Sequence, residues 1–294
     1  MTLSLCVVVV TRDRPEDVRR LLNSVEGQSR LPEKVVFVDS SEVSCLGEIA
    51  REVLGNKVAK IEVILRKCTL PEGRNLGASH AGTDLISFLD DDVVLEPDYF
   101  STVVSFLEGD ESGRVGGLEG EVTNFPTWKD FRWSSRLPIN AIFFMNLPGR
   151  GYYRQSGMAR HVVRSKGPVR TEVLSGSNMT FRGTVLAEIK FDESLKGRSH
   201  EDLDYSRRVS LKYAMYHLPA AKLLHLETPK ARATSAVAAE SAVRNPRALL
   251  EKNFEMTRKR RLAFNMSLIG QLIHLVIARR VDDIKPFLLE VFRG

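Results

Sequence analysis

The chain has 294 residues, and 43 Lys+Arg against 37 Asp+Glu leave a formal charge of +6. Hydrophobic residues at 43% and charged residues at 27% are ordinary for a globular protein, which excludes a disordered, collagen-like or integral membrane chain. Length allows one large α/β domain or two small ones, with a core that needs no staples. The three cysteines, Cys6, Cys45 and Cys68, lack metal-ligand spacing and cannot build a disulfide framework. They read as reduced thiols of a cytoplasmic protein.

Apolar Leu3–Val10 has no basic segment before it and no small-residue cleavage site after it, so a strand is expected rather than a leader peptide. The longest later apolar stretch, Leu268–Ala278, is interrupted by Gly270, Gln271 and His274. It falls short of the ~20 residues that a spanning helix needs.

Valine-dense Leu3–Val10 predicts a strand buried on both faces. Asp13 is placed to cap a helix, with Pro15 near its first position and Val18, Leu21, Leu22 and Val25 at helical spacing. Lys34–Val38 reads as a second buried strand, Glu42–Leu54 as a helix, Ile61–Leu65 as a third strand and Glu72–His80 as a short helix. Leu85–Leu89 is a fourth strand ending in Asp90-Asp91-Asp92, and Pro97 opens a helix to about Leu107. Alternation of strands and helices with short connections predicts a doubly wound, mostly parallel α/β sheet with flanking helices.

Near Gly113 the pattern changes. Gly120–Thr123 suggests a strand, and residues 124–171 are irregular, with eight Lys or Arg and no acid between Asp130 and Glu172. A strand-like segment is expected over Glu172–Phe181, helices over Thr184–Ile189 and Glu201–Tyr213, and a strand near Lys222–Leu226. Thr228–Asn245 reads as a mobile loop, Arg247–Ala278 as one long helix, and an amphipathic piece closes at Phe292. The implied organisation is a domain over 1–227 (halves about 1–112 and 113–227, basic insertion 124–171), the loop 228–245, and a helical extension 246–294.

Polar residues follow the carboxyl ends of successive buried strands: Arg12 and Asp13, then Asp39, then Asp90–Asp92. In open α/β sheets that edge holds the ligand. Neither G-x-G-x-x-G nor G-x-x-x-x-G-K-[ST] is present, so a bound diphosphate would need another counter-charge. A divalent cation is the natural one, and in an extended segment Asp90 and Asp92 point the same way as its oxygen ligands. Gly73 and Gly77 around Arg74 suggest close backbone approach.

Several segments together resemble the family-2 glycosyltransferases with the nucleotide-diphospho-sugar transferase (GT-A) fold. They are Val7–Pro15 (VVVVTRDRP), Val35–Ser40 (VVFVDS), Gly73–Gly77 (GRNLG), Asp84–Pro97 (DLISFLDDDVVLEP), Gly176–Arg182 (GSNMTFR), Phe191–Asp192, His200–Arg208 (HEDLDYSRR) and His225. They keep their usual order over roughly residues 3–227, while segment 124–171 and the closing helices lie outside the resemblance.

The resemblance implies an inverting, metal-dependent glycosyltransferase. Thr11, Arg12 and Asp39 would line the nucleoside pocket, and Arg74 would face the nucleotide. Asp90, Asp91 and Asp92 would form the D-x-D stretch at the donor, with Asp92, Asp90 and His225 on Mn²⁺ or Mg²⁺. In the Glu201-Asp202 pair, Asp202 matches the general base, needed because an alcohol is a poor nucleophile until its proton leaves. Lys230 and Arg232 are expected to close over the donor diphosphate. The implied partners are a nucleotide-diphosphate sugar, a UDP-sugar first, and a carbohydrate or polyprenyl-linked acceptor.

Arg150, Arg154, Arg160, Arg164, Lys166 and Arg170, near Trp128, Trp133, Phe143 and Phe144, suggest peripheral contact with an anionic membrane. Two other readings fit the sequence less well. A sugar-phosphate nucleotidyltransferase would be expected to carry a glycine-rich basic loop after the first strand, unlike Thr11–Pro15. A nucleic-acid-binding protein leaves the strand-end carboxylates unexplained, since they would repel phosphates.

Overall fold

The computed structural model describes residues 2–125, 136–145, 149–195, 200–226 and 235–293. β1 (Leu5–Thr11) is buried on both faces, and its alternation divides the core. Leu5, Val7 and Val9 join α1 (Pro15–Glu26), α2 (Leu46–Leu54) and α4 (Tyr99–Glu108), whereas Cys6 and Val8 face the layer holding Ala81, Phe181 and Tyr205. Around β1 run β2 (Lys34–Asp39), β3 (Lys60–Leu65) and β4 (Leu85–Leu89), all parallel in the order β3-β2-β1-β4. The register pairs Thr11 with Asp39 and Val9 with Leu89, so the polar ends of β1, β2 and β4 share one edge.

α3 (Leu70–Ala81) crosses β1 at close range. A Cβ on Gly73 would stand 2.7 Å from Val10 Cγ1, and one on Gly77 would overlap the Val8 side chain. This close seat carries Arg74 in towards the strand ends. After Asp90–Asp92 come β5 (Val93–Leu95), α4 and β6 (Val115–Val122).

The basic stretch contributes α5 (Arg136–Ile142) and the two-residue strands β7 (Tyr152–Tyr153), β8 (Ala159–Arg160) and β9 (Val169–Arg170). The chain then returns through β10 (Asn178–Arg182), α6 (Gly183–Glu188), α7 (Glu201–Ser210) and β11 (Ala214–His225). The sheet continues β4-β10-β6-β11-β5, with β10 antiparallel to both neighbours, β6 parallel to β11, and β11 antiparallel to β5. The expected mixed α/β, mostly parallel sheet is therefore present.

Several sequence expectations are corrected. Asp13 does not cap α1: it has φ 55°, and its N–H donates to Ser41 Oγ at 2.8 Å, leaving Arg14 as the cap residue. The strand expected over Glu172–Phe181 starts only at Asn178, because Thr171–Ser177 turns, with Thr171 Oγ1 accepting from Val173 N at 3.0 Å. The helix at Glu201 ends at Ser210, and the strand expected near Lys222 begins at Ala214. The stretch read as a loop to Asn245 holds the start of α8 (Ser235–Asn253). The single helix over Arg247–Ala278 is two, since Thr257 caps a new helix, α9 (Arg258–Ile277), by accepting from Arg260 N. α10 (Val281–Arg293) follows, and Phe264, Leu268 and Phe287 pack with Val243 and Leu250 into a separate core for these helices.

Candidate active site

Where β4 ends, Asp90 N donates to Ser177 O at 3.1 Å, and the acidic triplet turns the chain into β5. β5 pairs with β11 so that Val93 lies opposite His225, and Leu226 N donates to Asp92 O at 2.9 Å. That pairing brings His225 Nε2 to 3.1 Å from Asp92 Oδ1 and 3.9 Å from Asp90 Oδ2. One ligand atom from each of Asp90, Asp92 and His225 lies within 4.8 Å of the others, the grouping expected for a divalent cation. Asp90 is 35% exposed at the tip, and Asp92 is 7% exposed. Burial pushes the Asp90 carboxyl up to about 6, with Asp92 and Asp91 adding to it and Arg74 and His225 opposing.

Asp91 points elsewhere. Its carboxylate accepts from Thr11 Oγ1 at 2.6 Å and from Arg14 Nη1 at 2.8 Å. Burial raises it above the usual carboxylate range against those two partners. Arg14 also reaches Asp92 Oδ2 at 3.3 Å, so one guanidinium braces two of the three acids. Sequence reasoning missed Arg14, although its place after the first strand, beside Arg12, was the available signal.

Arg74 is buried behind the triplet. It donates from Nη1 to Glu201 Oε1 at 2.8 Å and from Nη2 to Gly176 O at 3.0 Å, and stands 3.9 Å from Asp90 Oδ1. Burial, then the neighbouring Asp202, push Glu201 up to about 7, opposed by Arg74. Glu201 Oε2 is buried without a hydrogen-bond partner. Asp202, half-buried in the first turn of α7, accepts from Gly176 N at 2.9 Å on Oδ2 and from Leu203 N at 2.8 Å on Oδ1. Gly176 is the node, because a Cβ there would sit 3.0 Å from Arg74 Nη2 and 3.1 Å from Asp202 Oδ2.

Asp39 is buried at the end of β2, with Oδ1 accepting from Ser41 N at 3.0 Å. Arg12 is exposed and pairs with Asp13 at 3.3 Å. Lys230 and Arg232 lie outside the described residues, as do Trp128 and Trp133. The structure thus brings together Asp90, Asp92, His225, Arg74, Glu201 and Asp202, with Thr11 turned to Asp91. Arg74, expected to face the nucleotide, is turned instead to Glu201 and Gly176, with its side chain 3% exposed.

A second, unforeseen cluster lies inside the sheet. His217 Nδ1 is 3.1 Å from Glu119 Oε1, and its Nε2 is 3.0 Å from Glu121 Oε2. Glu119 Oε2 accepts from Ser175 N at 2.5 Å, one residue before the Gly176 node. Glu121 Oε2 accepts from Arg164 N at 2.9 Å. The available signal was two acids spaced by two within an otherwise small and apolar run, Val115–Val122.

The profile of glycosyl transferase family 2 matches residues 6–160, and the chain belongs to that family. No curated protein matches it. Among solved structures, GalNAc-T7 with UDP, GalNAc and Mn²⁺ is similar at TM-score 0.60 and 17% identity, covering 76% of this chain and 44% of that one. The mannosyltransferase PcManGT from Pyrobaculum calidifontis, in complex with GDP-Man and Mn²⁺, gives 0.59 and 14%, over 95% of this chain and 76% of that one. A fragment of S. aureus TarS in complex with UDP gives 0.54 and 17%, over 95% and 73%. The chain spans less than half of the GalNAc-T7 chain. At these identities the likeness establishes the fold, which is GT-A.

Proposed function

We propose that this protein is an inverting, divalent-metal-dependent glycosyltransferase that moves a sugar from a nucleotide-diphosphate sugar to an acceptor hydroxyl. The observation that carries the reading is the convergence of Asp90, Asp92 and His225 at the sheet edge, with Asp202 held nearby through Gly176 and Arg74. Two carboxylate oxygens and one imidazole suit Mn²⁺ or Mg²⁺, and a raised Asp90 beside two further acids calls for positive charge. The Mn²⁺ in two of the similar structures supports manganese first. A bound cation would offset charge on the departing diphosphate.

In this reading Asp90, Asp92 and His225 hold the metal, while Thr11, Arg12 and Asp39 border the nucleoside. Asp91 fixes the triplet through Thr11 and Arg14. Asp202 accepts the proton of the acceptor hydroxyl as its oxygen bonds to the anomeric carbon and the bond to the diphosphate breaks. Both Asp202 oxygens already take a backbone N–H, which fixes the carboxylate plane and leaves a lone pair for the proton. Arg74 holds Glu201 and the Gly176 carbonyl, so the donor and base sides share one buried cation. Lys230 and Arg232 are assigned to the diphosphate by their charge and their place after His225. A UDP-sugar is the first donor to test, and a carbohydrate or polyprenyl-linked acceptor at the cytoplasmic membrane face completes the proposal.

A screen of nucleotide sugars for donor hydrolysis with Mn²⁺, repeated in excess EDTA, tests it. Hydrolysis of one donor that EDTA abolishes is expected. Full activity in EDTA overturns the metal assignment, and a product that retains the donor's anomeric configuration overturns inversion.

A further inference from the structure

α9 is apolar on two faces. Phe264 and Leu268 are buried in the helical core, and Ala263, Ser267 and Gly270 are buried beside them, Gly270 against Phe143 and Met145. On the other side Leu262, Ile269 and Val276, spaced seven apart, are 65%, 47% and 57% exposed, with Met266 and Ile273 half-buried beside them and Ile277 exposed. Single exposed apolar side chains are ordinary, but a file of them along one helix marks an interaction surface.

The charge around this file is one-sided. No acid occurs between Glu255 and Asp282, while Arg258, Lys259, Arg260 and Arg261 open the helix and Arg279 and Arg280 follow it. Arg260 lies over the Phe254 ring at 4.6 Å, and Arg280 pairs with Asp283 at 2.5 Å. Arg258, Lys259, Arg261 and Arg279 are exposed. At the helical repeat Arg258 stands in line with Ile269 and Val276, with Arg261 about 60° to one side of that line. Cations in a first turn oppose the helix dipole, so they do not serve the helix itself.

We infer that the exposed face of α9 is a docking surface for an anionic membrane, with the helix lying flat in the interface. An apolar file with cations at both ends can seat its middle among acyl chains while its ends meet anionic headgroups. No helix among the described residues is long and apolar enough to cross a bilayer. A second copy is the poorer occupant, because pairing two such faces in either direction sets arginine against arginine. In the basic insertion, by contrast, three of the arginines are engaged within the chain. Arg154 donates to Asn140 O and Met145 O, both at 2.7 Å, Arg160 to Tyr152 Oη at 2.6 Å, and Arg164 to the Thr123 carbonyl. The inference deepens the membrane-adjacent part of the reading above and rests on that part alone.

Flotation of the full chain with phosphatidylcholine vesicles, with and without phosphatidylglycerol, tests it. Binding is expected to the anionic vesicles at low salt and to fade at high salt. Arg258→Gln with Arg261→Gln and Arg279→Gln should weaken it by ~10²-fold, since each cation near the surface counts about fivefold, and separately Ile269→Glu with Val276→Glu should weaken it by at least ~25-fold, since the same surface repels each added anion by a similar factor. Donor hydrolysis by both variants should match the parent, so loss of vesicle binding is read apart from the sugar-transfer reaction. Equal binding to neutral vesicles, or variants that bind like the parent, overturns the inference. So does a parent that sediments as an oligomer which Ile269→Glu with Val276→Glu dissociates, because the face then belongs to a second copy.

Discussion

The sheet holds two clusters made to the same recipe. At the end of β4, Asp90 and Asp92 meet His225, and inside β6, Glu119 and Glu121 meet His217. Both are an acid-x-acid pair from one strand or strand end and a histidine from β11. The inner imidazole is 2% exposed and stands between its carboxylates, one ring nitrogen to each, so it is itself the counter-cation. The remaining Glu119 oxygen is taken by a backbone N–H, and Arg164 N adds to Glu121. At the outer cluster one nitrogen, Nε2, faces both aspartates, and Asp90 is 35% exposed. Atoms that converge on one point can share a cation, whereas atoms that bracket a ring from opposite sides have already spent their charge on it. Carboxylate count therefore does not separate a ligand site from an internal brace, but convergence and openness do.

The largest effect should come from testing that contrast with one substitution in each cluster. Asp92→Asn is expected to lose Mn²⁺ binding by calorimetry and to lower metal-dependent donor hydrolysis by ~10³-fold, several kcal/mol of charge stabilisation. Glu121→Gln should leave Mn²⁺ affinity unchanged. Equal loss in both variants would mean that the inner cluster also binds metal. Next, Asp202→Asn should lower turnover by ~10²–10⁴-fold, the usual contribution of a positioned base, with donor and Mn²⁺ affinity retained. Weaker donor binding with turnover intact would make Asp202 a binding residue.

In the inner cluster the expected loss is of folding. His217→Gln leaves two carboxylates buried without their cation, which typically costs about 3–5 kcal/mol. Denaturant unfolding should show that loss, and the folded fraction should still bind Mn²⁺ as the parent does. A variant as stable as the parent would mean that the carboxylates are neutral already.

The outer cluster was legible and the inner one was not, for a physical reason. Asp90–Asp92 sits between the apolar runs Leu85–Leu89 and Val93–Leu95, so local sequence already shows acids at a buried strand end. Asp202 and His225 were legible only through the ordered resemblance, since the contacts that place them run through Gly176 and the β5–β11 pairing. Glu119 and Glu121 meet His217 across 98 and 96 residues, a parallel strand pairing that no local period announces. The break at Phe254–Thr257 escaped the helical reading because no Gly or Pro marks it, only the Thr257 cap. Burial of β1 on both faces, by contrast, needed only the valine run.

The smallest expected effect is a slope with pH. Burial pulls His217 down, but hydrogen bonds and charge from Glu119 and Glu121 outweigh it and hold the imidazole at about 9, against 6.5 ordinarily. The folded chain therefore keeps a proton that the unfolded chain gives up first. The stabilisation is complete below about 6.5, shrinks as pH rises from there, and is gone once pH passes about 9, falling by about 1.4 kcal/mol per pH unit between the two. Other groups titrate over the same range, so the useful quantity is the difference in unfolding free energy between the parent and His217→Gln. That difference should narrow steadily from neutral pH to about 9 and then level off. A constant difference across the range would show that His217 is neutral in the folded chain, and the inner cluster would then be a hydrogen-bonded carboxyl pair instead of an ion pair.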